Sequence, residues 1–213
     1  MSARKIACLV LFVAVSISVT ACDSSTTVTP TATLASESSD GTNTSAPETT
    51  PPTRTSDDLY HEATAESPAK NVKIPTFPNA AKKNNEKGAS AFTAHYFALI
   101  NYTGESTESG PIKNLSSFRC QECFESIIDP ADHSKSIGEW QVGGKYHATI
   151  IDAYKSSEQR ALVTVEFTSD AFKTYMQPNM VAGEYSEVKA TIATFQLKFT
   201  DRWQVEKILM EEQ

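Results

Sequence analysis

The spacing of apolar residues predicts helices in the first half of the folded region. Apolar residues recur at helical spacing in the stretch "GASAFTAHYFALINY", at Ala89, Phe92, Tyr96, Leu99 and Ile100. Gly104 follows as a helix stop. A second, weaker helix is predicted from about residue 111 to 118. A third is predicted from the "CQEC" stretch to about residue 136, bent where Pro130 lacks a backbone donor.

Beyond Gly138 the apolar period changes to two, which predicts strands. "KYHATIIDAY" and "RALVTVEFTS" are predicted as a hairpin, and "EVKATIATFQLKFTDRWQVEKILMEE" as two strands that turn at residues 200–202. "DAFKTYMQPNMVAGEYS", between these pairs, is predicted to be rich in loops. One face of the sheet should carry Ala193, Phe195, Leu197 and Phe199, joined after the turn by Trp203, Val205 and Leu209. The other face should be at least partly wet.

The N-terminus has the three-part layout of a secretory signal: Arg4 and Lys5, an apolar run over residues 6–19, and small residues before a cysteine. The run is shorter than the ~20 residues of a spanning helix, so no membrane-spanning segment is expected. Val19-Thr20-Ala21-Cys22 resembles a bacterial lipobox. The resemblance implies a lipoprotein signal peptide over residues 1–21 and diacylglycerol on the thiol of Cys22. The alternative is an ordinary signal peptide that leaves Cys22 as a spare thiol.

Residues 22–75 are dominated by Ser, Thr, Pro and acidic residues, with few large apolar side chains. Such a stretch cannot bury enough surface to offset its ordering entropy, so we predict a disordered tether. The composition also permits O-glycosylation. The folded domain is then expected over residues 76–213.

Charge narrows the choice of partners. The net charge is -7, and loss of Arg4 and Lys5 with the signal would leave -7 - 2 = -9. An acidic chain of this kind is not attracted to nucleic acid or to anionic headgroups. We therefore expect no nucleic-acid partner, and we expect the acyl anchor on Cys22 to hold the protein on the outer face of the cell membrane.

Three helices followed by a four-stranded meander predict an α+β domain. This order resembles the nuclear transport factor 2-like fold, in which N-terminal helices pack on a curved four-stranded antiparallel sheet to form a cone. "GASAFTAHYFALINY", "CQEC" and "DRWQVEKI", behind a lipobox and a Ser/Thr tether, are similar to an actinobacterial lipoprotein family known as domain of unknown function 6318. The resemblance implies a fold and a location, and it brings no reaction or ligand.

Cys120 and Cys123 are the two cysteines that remain between the tether and the C-terminus. In an exported protein such a pair usually oxidises, which favours a structural disulfide. A redox CxxC follows a strand and begins a helix, whereas no strand is predicted before Cys120, and Glu122 between the thiols raises a thiol pKa. A zinc site needs four ligands, and His133 is the nearest candidate for a third.

The sequence contains no phosphate loop, metalloprotease motif, nucleophile elbow or nucleotide fingerprint, so no catalytic residue, metal or cofactor is expected. Tyr96, His147 and Asp152 form a possible pocket constellation for acid–base chemistry; alternatively, the strand residues face solvent. Residues 174–183 carry aromatic and Met side chains that either bind apolar partners or cap the cone. We predict a non-catalytic module that binds a protein or a small apolar ligand. The alternative is an enzyme that uses the pocket or the CxxC pair.

Overall fold

The computed structural model describes residues 59–211. Cys22, the predicted signal peptide and residues 22–58 of the predicted tether lie outside the described residues. The helices come first along the chain: a short 3-10 helix (Asn79–Lys82), α1 (Glu86–Ser106), α2 (Gly110–Lys113), α3 (Gln121–Cys123), a π-helix (Phe124–Ile128) and α4 (Asp129–Ile137).

Local signals set both ends of α1. At its start, the Asn85 side chain accepts a hydrogen bond of 2.8 Å from the Gly88 N–H, which satisfies one of the free donors of the first turn. At its end, Thr107 takes a left-handed conformation (φ 60°) and its N–H bonds to the Thr103 carbonyl. The helix predicted from the apolar spacing is therefore confirmed, but the predicted stop at Gly104 is wrong, because Gly104 lies inside α1 and the helix continues to Ser106.

The two other predicted helices are present in altered form. The second shrinks to α2, which has 4 residues. The third runs through α3, the π-helix and α4, and Pro130 lies in the first turn of α4, where no backbone donor is needed. The predicted interruption near Pro130 thus takes the form of a π-helix directly before it.

The predicted fold class, three N-terminal helices on one four-stranded sheet in a nuclear transport factor 2-like cone, is wrong. Within residues 59–211 the strands form two antiparallel sheets, a four-stranded one in the order β2-β3-β6-β7 and a three-stranded one in the order β1-β4-β5. The strands are β1 (Trp140–Gly143), β2 (Tyr146–Ser157), β3 (Arg160–Ser169), β4 (Phe172–Gln177), β5 (Met180–Tyr185), β6 (Val188–Phe199) and β7 (Trp203–Met210).

The error lies in the segment that was predicted to be rich in loops. Pro178 and Asn179 turn the chain between β4 and β5, and Asn179 adopts the positive φ (61°) that such a tight turn favours. This hairpin then adds β1 along the free side of β4. The four strands predicted from the period of two are all present, and they form the larger sheet.

The inner face of the larger sheet packs against α1. Ala193, Phe195 and Leu197 are buried on it, as predicted. Leu209 is instead 38% exposed, and Ile208 takes the inner position. The cause is a bulge: Leu197 pairs with Val205 but Gln196 pairs with Lys207, so the extra residue reverses the alternation of β7.

Residues 59–75, here called the N-terminal strap, cover one face of the smaller sheet. The backbones of His61 and Lys70 pair with each other, and Trp140 Nε1 donates a hydrogen bond of 2.8 Å to the Thr64 carbonyl. Ala63 packs with Trp140 and Tyr175 in a small second core. The strap belongs to the predicted tether, so the folded part of the chain includes residues before the expected start at 76.

None of the helices within residues 59–211 has the length and apolarity that crossing a bilayer requires.

Candidate binding cleft

A cavity of about 940 Å³, here called the cleft, lies between α1, the π-helix with α4, the inner face of the larger sheet and the cleft-facing side of the smaller sheet. The strap closes it at one side through Tyr60 and Ala63. Its volume falls in the range typical of small-molecule sites.

The floor of the cleft is apolar. Phe167 and Phe195 reach it from the larger sheet, and Phe97 reaches it from α1; all three are nearly or fully buried. Ile100 on α1 and Ile127 on the π-helix extend the apolar surface along the walls. The floor is therefore the open end of the main hydrophobic core.

Asn101 fixes one corner of the cleft. Its side-chain amide donates to the Tyr146 carbonyl (2.9 Å), and its side-chain oxygen accepts from the Tyr146 N–H (2.7 Å). These two bonds reproduce the pairing that a neighbouring strand would give to the start of β2, so they hold α1 and β2 at a constant separation. Both residues line the cleft.

The smaller sheet presents one face to the cleft and the other to the strap. Phe172 and Thr174, two residues apart on β4, line the cleft. Tyr175, on the opposite face, stacks on Trp140 with a centroid distance of 5.8 Å. Tyr185 of β5 stacks on Phe172 at 4.4 Å and also lines the cleft. The alternation of β4 therefore separates a cleft surface from a small core.

The rim of the cleft is acidic. Five carboxylates line it, whereas Lys145 and His133 are the basic residues among its lining side chains; the acids are Glu62, Glu105, Glu122, Glu139 and Asp170. Glu105 accepts a hydrogen bond from Tyr60 Oη, and this bond raises the pKa of Tyr60 to about 12. Glu139 accepts from Ser134 Oγ at 2.7 Å. With His133 neutral, the lining groups give a net charge of four negative units.

Thr174 carries a polar atom with no partner inside the protein. The residue is only 8% exposed. Among the described side chains, its Oγ1 is the one buried nitrogen or oxygen atom that makes no hydrogen bond. A buried hydroxyl without a partner costs on the order of 1–3 kcal/mol. Thr174 lines the cleft, so this hydroxyl lies next to the space that an occupant would fill.

The structure does not bring Tyr96, His147 and Asp152 together in the cleft. Tyr96 is fully buried beside Phe195, and its Oη lies 2.7 Å from Ser116 Oγ. The Ser116 hydroxyl donates to a backbone carbonyl, so Tyr96 is the donor of this pair. Burial raises the pKa of Tyr96 above its usual range, which suits a structural phenol.

His147 and Asp152 both lie on exposed positions of β2, as the alternative interpretation expected. His147 Nε2 lies 3.2 Å from both carboxylate oxygens of Asp170. The side chains that line the cleft include Asp170 and not His147, Asp152 or Tyr96. This separation leaves the predicted acid–base constellation without a shared site.

Cys120 and Cys123 form the predicted disulfide, which is thereby confirmed. Both residues are fully buried, and Cys120 Sγ also accepts a hydrogen bond of 3.3 Å from the Cys123 N–H at the start of α3. Thiol–disulfide exchange requires attack by a thiolate, and burial prevents a thiolate from reaching this disulfide. The geometry therefore fits a structural staple. Within residues 59–211 no group of three or more His, Cys, Asp or Glu side chains could hold a metal ion.

Sequence reasoning missed the cleft residues of the smaller sheet, above all Thr174. A weak signal was present, because Phe172 and Thr174 alternate with Lys173 and Tyr175 as strand residues do. The rim acids carried no such signal, since they come from the strap, two helices, the connection before β1 and the connection after β3.

A comparison with curated proteins found no match. Among solved structures, the intermembrane space region of the chloroplast protein ARC6 shares 13% identity and a TM-score of 0.44, covering 62% of this chain and 99% of its own. A domain of unknown function with a cystatin-like fold from Nostoc punctiforme shares 11% identity and a TM-score of 0.33, covering 59% and 76%. Both likenesses are too weak to support an argument about function.

The sequence profile of one protein family matches residues 58–208, which is most of the chain and all but a few of the residues that the structure describes. The chain therefore belongs to the family of unknown function DUF6318.

Proposed function

We propose that the chain is an actinobacterial lipoprotein, anchored to the outer face of the cell membrane through diacylglycerol on Cys22, whose folded domain is a non-catalytic module that binds an apolar ligand. The observation that carries the binding part is the cleft of about 940 Å³ with its apolar floor. The lipobox-like Val19-Thr20-Ala21-Cys22 and the secretory layout before it support the anchor.

The apolar walls support an apolar ligand for an energetic reason. The floor rings are already nearly buried, whereas Ile100, Ile127 and Phe172 are only partly buried, and covering their remaining apolar surface contributes about 25 cal/mol per Å². Phe167, Phe195 and Phe97 are held in place by the core behind them, so the cleft is formed before a ligand arrives. A preformed site loses little conformational entropy on binding.

A fluorescent apolar probe tests the binding part. N-phenyl-1-naphthylamine is neutral, and its fluorescence increases in apolar surroundings. It should therefore bind in the cleft of the wild-type protein, and an apolar ligand of the cleft should displace it. Ala131 lines the cleft from α4, and Ala131→Trp should fill the cavity and abolish binding. Ser136→Trp is the matched control, because Ser136 is exposed on the same helix and does not line the cleft. Equal binding by both variants would contradict the proposal.

Mass spectrometry of the intact protein from its own membrane fraction tests the anchor. The expected mass begins at Cys22 and includes diacylglycerol, and Cys22→Ser should release the chain from the membrane fraction. A chain that retains residues 1–21, or that carries no lipid, would refute the anchor and leave the binding proposal to be judged by the cleft variants.

A further inference from the structure

We propose that the cleft selects an amphiphile with a positively charged head group, such as a long-chain amine, over neutral and anionic amphiphiles. This inference rests on the proposed function, because it names the class of ligand that the same cleft accepts. Three features of the described residues carry it: the charge of the rim, the partners of the rim acids, and the free hydroxyl of Thr174.

The charge of the rim is opposite to that of the proposed head group. Five carboxylates and one lysine surround an apolar floor, so the potential over the cleft is negative. Glu105 and Glu139 are half-buried, which reduces the screening of their charge by solvent and salt. An anionic amphiphile would have to bring a like charge to this rim.

The rim acids lack the cations that neutralise carboxylates elsewhere on the domain. In residues 59–211, the ion pairs with Lys or Arg involve Glu108, Asp132, Glu184, Asp201 and Glu206. The five rim carboxylates are absent from those pairs, and Asp170 alone meets a histidine. Glu105, Glu122 and Glu139 each accept a hydrogen bond from a hydroxyl group, which leaves the negative charge in place.

Thr174 is an independent sign of an occupant. Its hydroxyl is buried and without a partner among the described groups, yet its residue lines the cleft. The alternation of β4 places it on the same face as Phe172, towards the cavity. A head group that can form a hydrogen bond would relieve this cost, whereas a pure hydrocarbon would leave it unrelieved.

Three probes of equal chain length separate charge from apolar contact: decylammonium, decanol and decanoate, each below its aggregation concentration. Affinities are measured on the mature protein by displacement of N-phenyl-1-naphthylamine and by calorimetry at low salt. Decylammonium should bind about tenfold more tightly than decanol, and decanoate should bind least. Salt at 0.5 M should weaken the preference without abolishing it, because the Debye length then falls to a few ångströms while the half-buried acids are screened less than exposed ones.

Two pairs of variants locate the effect. Glu105→Gln/Glu139→Gln keeps an oxygen that accepts from Tyr60 and Ser134 and removes two charges, so decylammonium should lose about threefold in affinity per charge while decanol is unchanged. The control Glu158→Gln/Glu166→Gln changes two exposed acids outside the cleft and should have no effect. Thr174→Val should weaken both decanol and decylammonium by about fivefold and should raise the thermal midpoint of the free protein.

Each outcome is decisive. Binding of decanol without a preference for decylammonium, or a preference that survives in Glu105→Gln/Glu139→Gln, would overturn this inference and leave the proposed function standing. Equal binding of decylammonium to wild type and to Ala131→Trp would place the amine on the general acidic surface and overturn it too. Failure of all three probes and of N-phenyl-1-naphthylamine would refute both proposals.

Discussion

Replacing Gly88 with alanine should destabilise the domain, although the same change stabilises most helices. Gly88 lies in the first turn of α1, against the 3-10 helix that precedes it. A Cβ atom at this position would lie 1.9 Å from the Lys83 carbonyl oxygen and 2.9 Å from its carbon. Backbone cannot rotate away as a flexible side chain can, so either α1 or the segment before it must shift.

The position of the Lys83 carbonyl is itself fixed. It accepts a hydrogen bond of 3.0 Å from Trp203 Nε1, and Trp203 is fully buried in the main core. Overpacking costs typically ~1–3 kcal/mol, and loss of the indole bond adds about 1 kcal/mol. We therefore expect Gly88→Ala to lower the free energy of unfolding by about 2–4 kcal/mol. For a chain of this size, that is a fall in Tm of roughly 10 °C.

Gly104→Ala is the matched control on the same helix. Its new Cβ would lie 3.4 Å from the nearest atom, in the side chain of Gln141, so alanine fits and should stabilise α1 by ~0.5–1 kcal/mol. Thermal unfolding followed by circular dichroism, with the disulfide intact, compares both variants with wild type. If Gly88→Ala melts at or above the wild-type temperature, the close approach of Lys83 to α1 is wrong.

Three further predictions concern the disulfide, the core histidine and the strap. Cys120→Ser/Cys123→Ser should cost about 2 kcal/mol in denaturant unfolding, by the chain-entropy model for a short loop, and should leave probe binding intact; unchanged stability would contradict the role of the disulfide as a staple. Burial lowers the pKa of His95 from its ordinary value of 6.5, so its contribution to stability is full above that pH and is lost as the pH falls through the lowered value. His95→Gln should flatten the stability profile below pH 6.5, and an unchanged profile would contradict this. Because the bond to Glu105 raises the pKa of Tyr60, the stability that this bond contributes should be full below pH 10 and lost towards pH 12. Tyr60→Phe should remove that loss and should speed amide exchange in the strap, and unchanged exchange would show that other contacts hold it.

The sequence predicted the larger sheet because its strands bury one face in a single core. The alternation through Ala193, Phe195 and Leu197 is strong, and it is buried as expected. The prediction failed at Leu209, because a bulge beside Glu206 shifts the register of β7 by one residue and the spacing of apolar residues does not reveal a bulge.

The smaller sheet could not be predicted in the same way, because it buries its two faces against different partners. Its outer face packs on the strap, whose sequence has the composition of a disordered tether, and its other face borders the cleft. Neither the strap nor the set of residues around the cleft shows a regular spacing of apolar residues. In the segment around Pro178 and Asn179, the turn residues could therefore be recognised from the sequence, and the two flanking strands could not.

The cleft and the core share one chain of aromatic rings, which makes the floor a rigid part of the site. Phe92, Tyr96, Phe195, Phe97 and Phe167 follow one another with centroid distances of 6.3, 5.9, 5.5 and 5.8 Å. The first two lie in the closed core, and the last three line the cleft. Truncating a buried Phe costs ~3–5 kcal/mol, so a floor substitution would change stability and binding together. The choice of ligand must therefore depend on the walls and the rim, where residues are free to differ without loss of the fold.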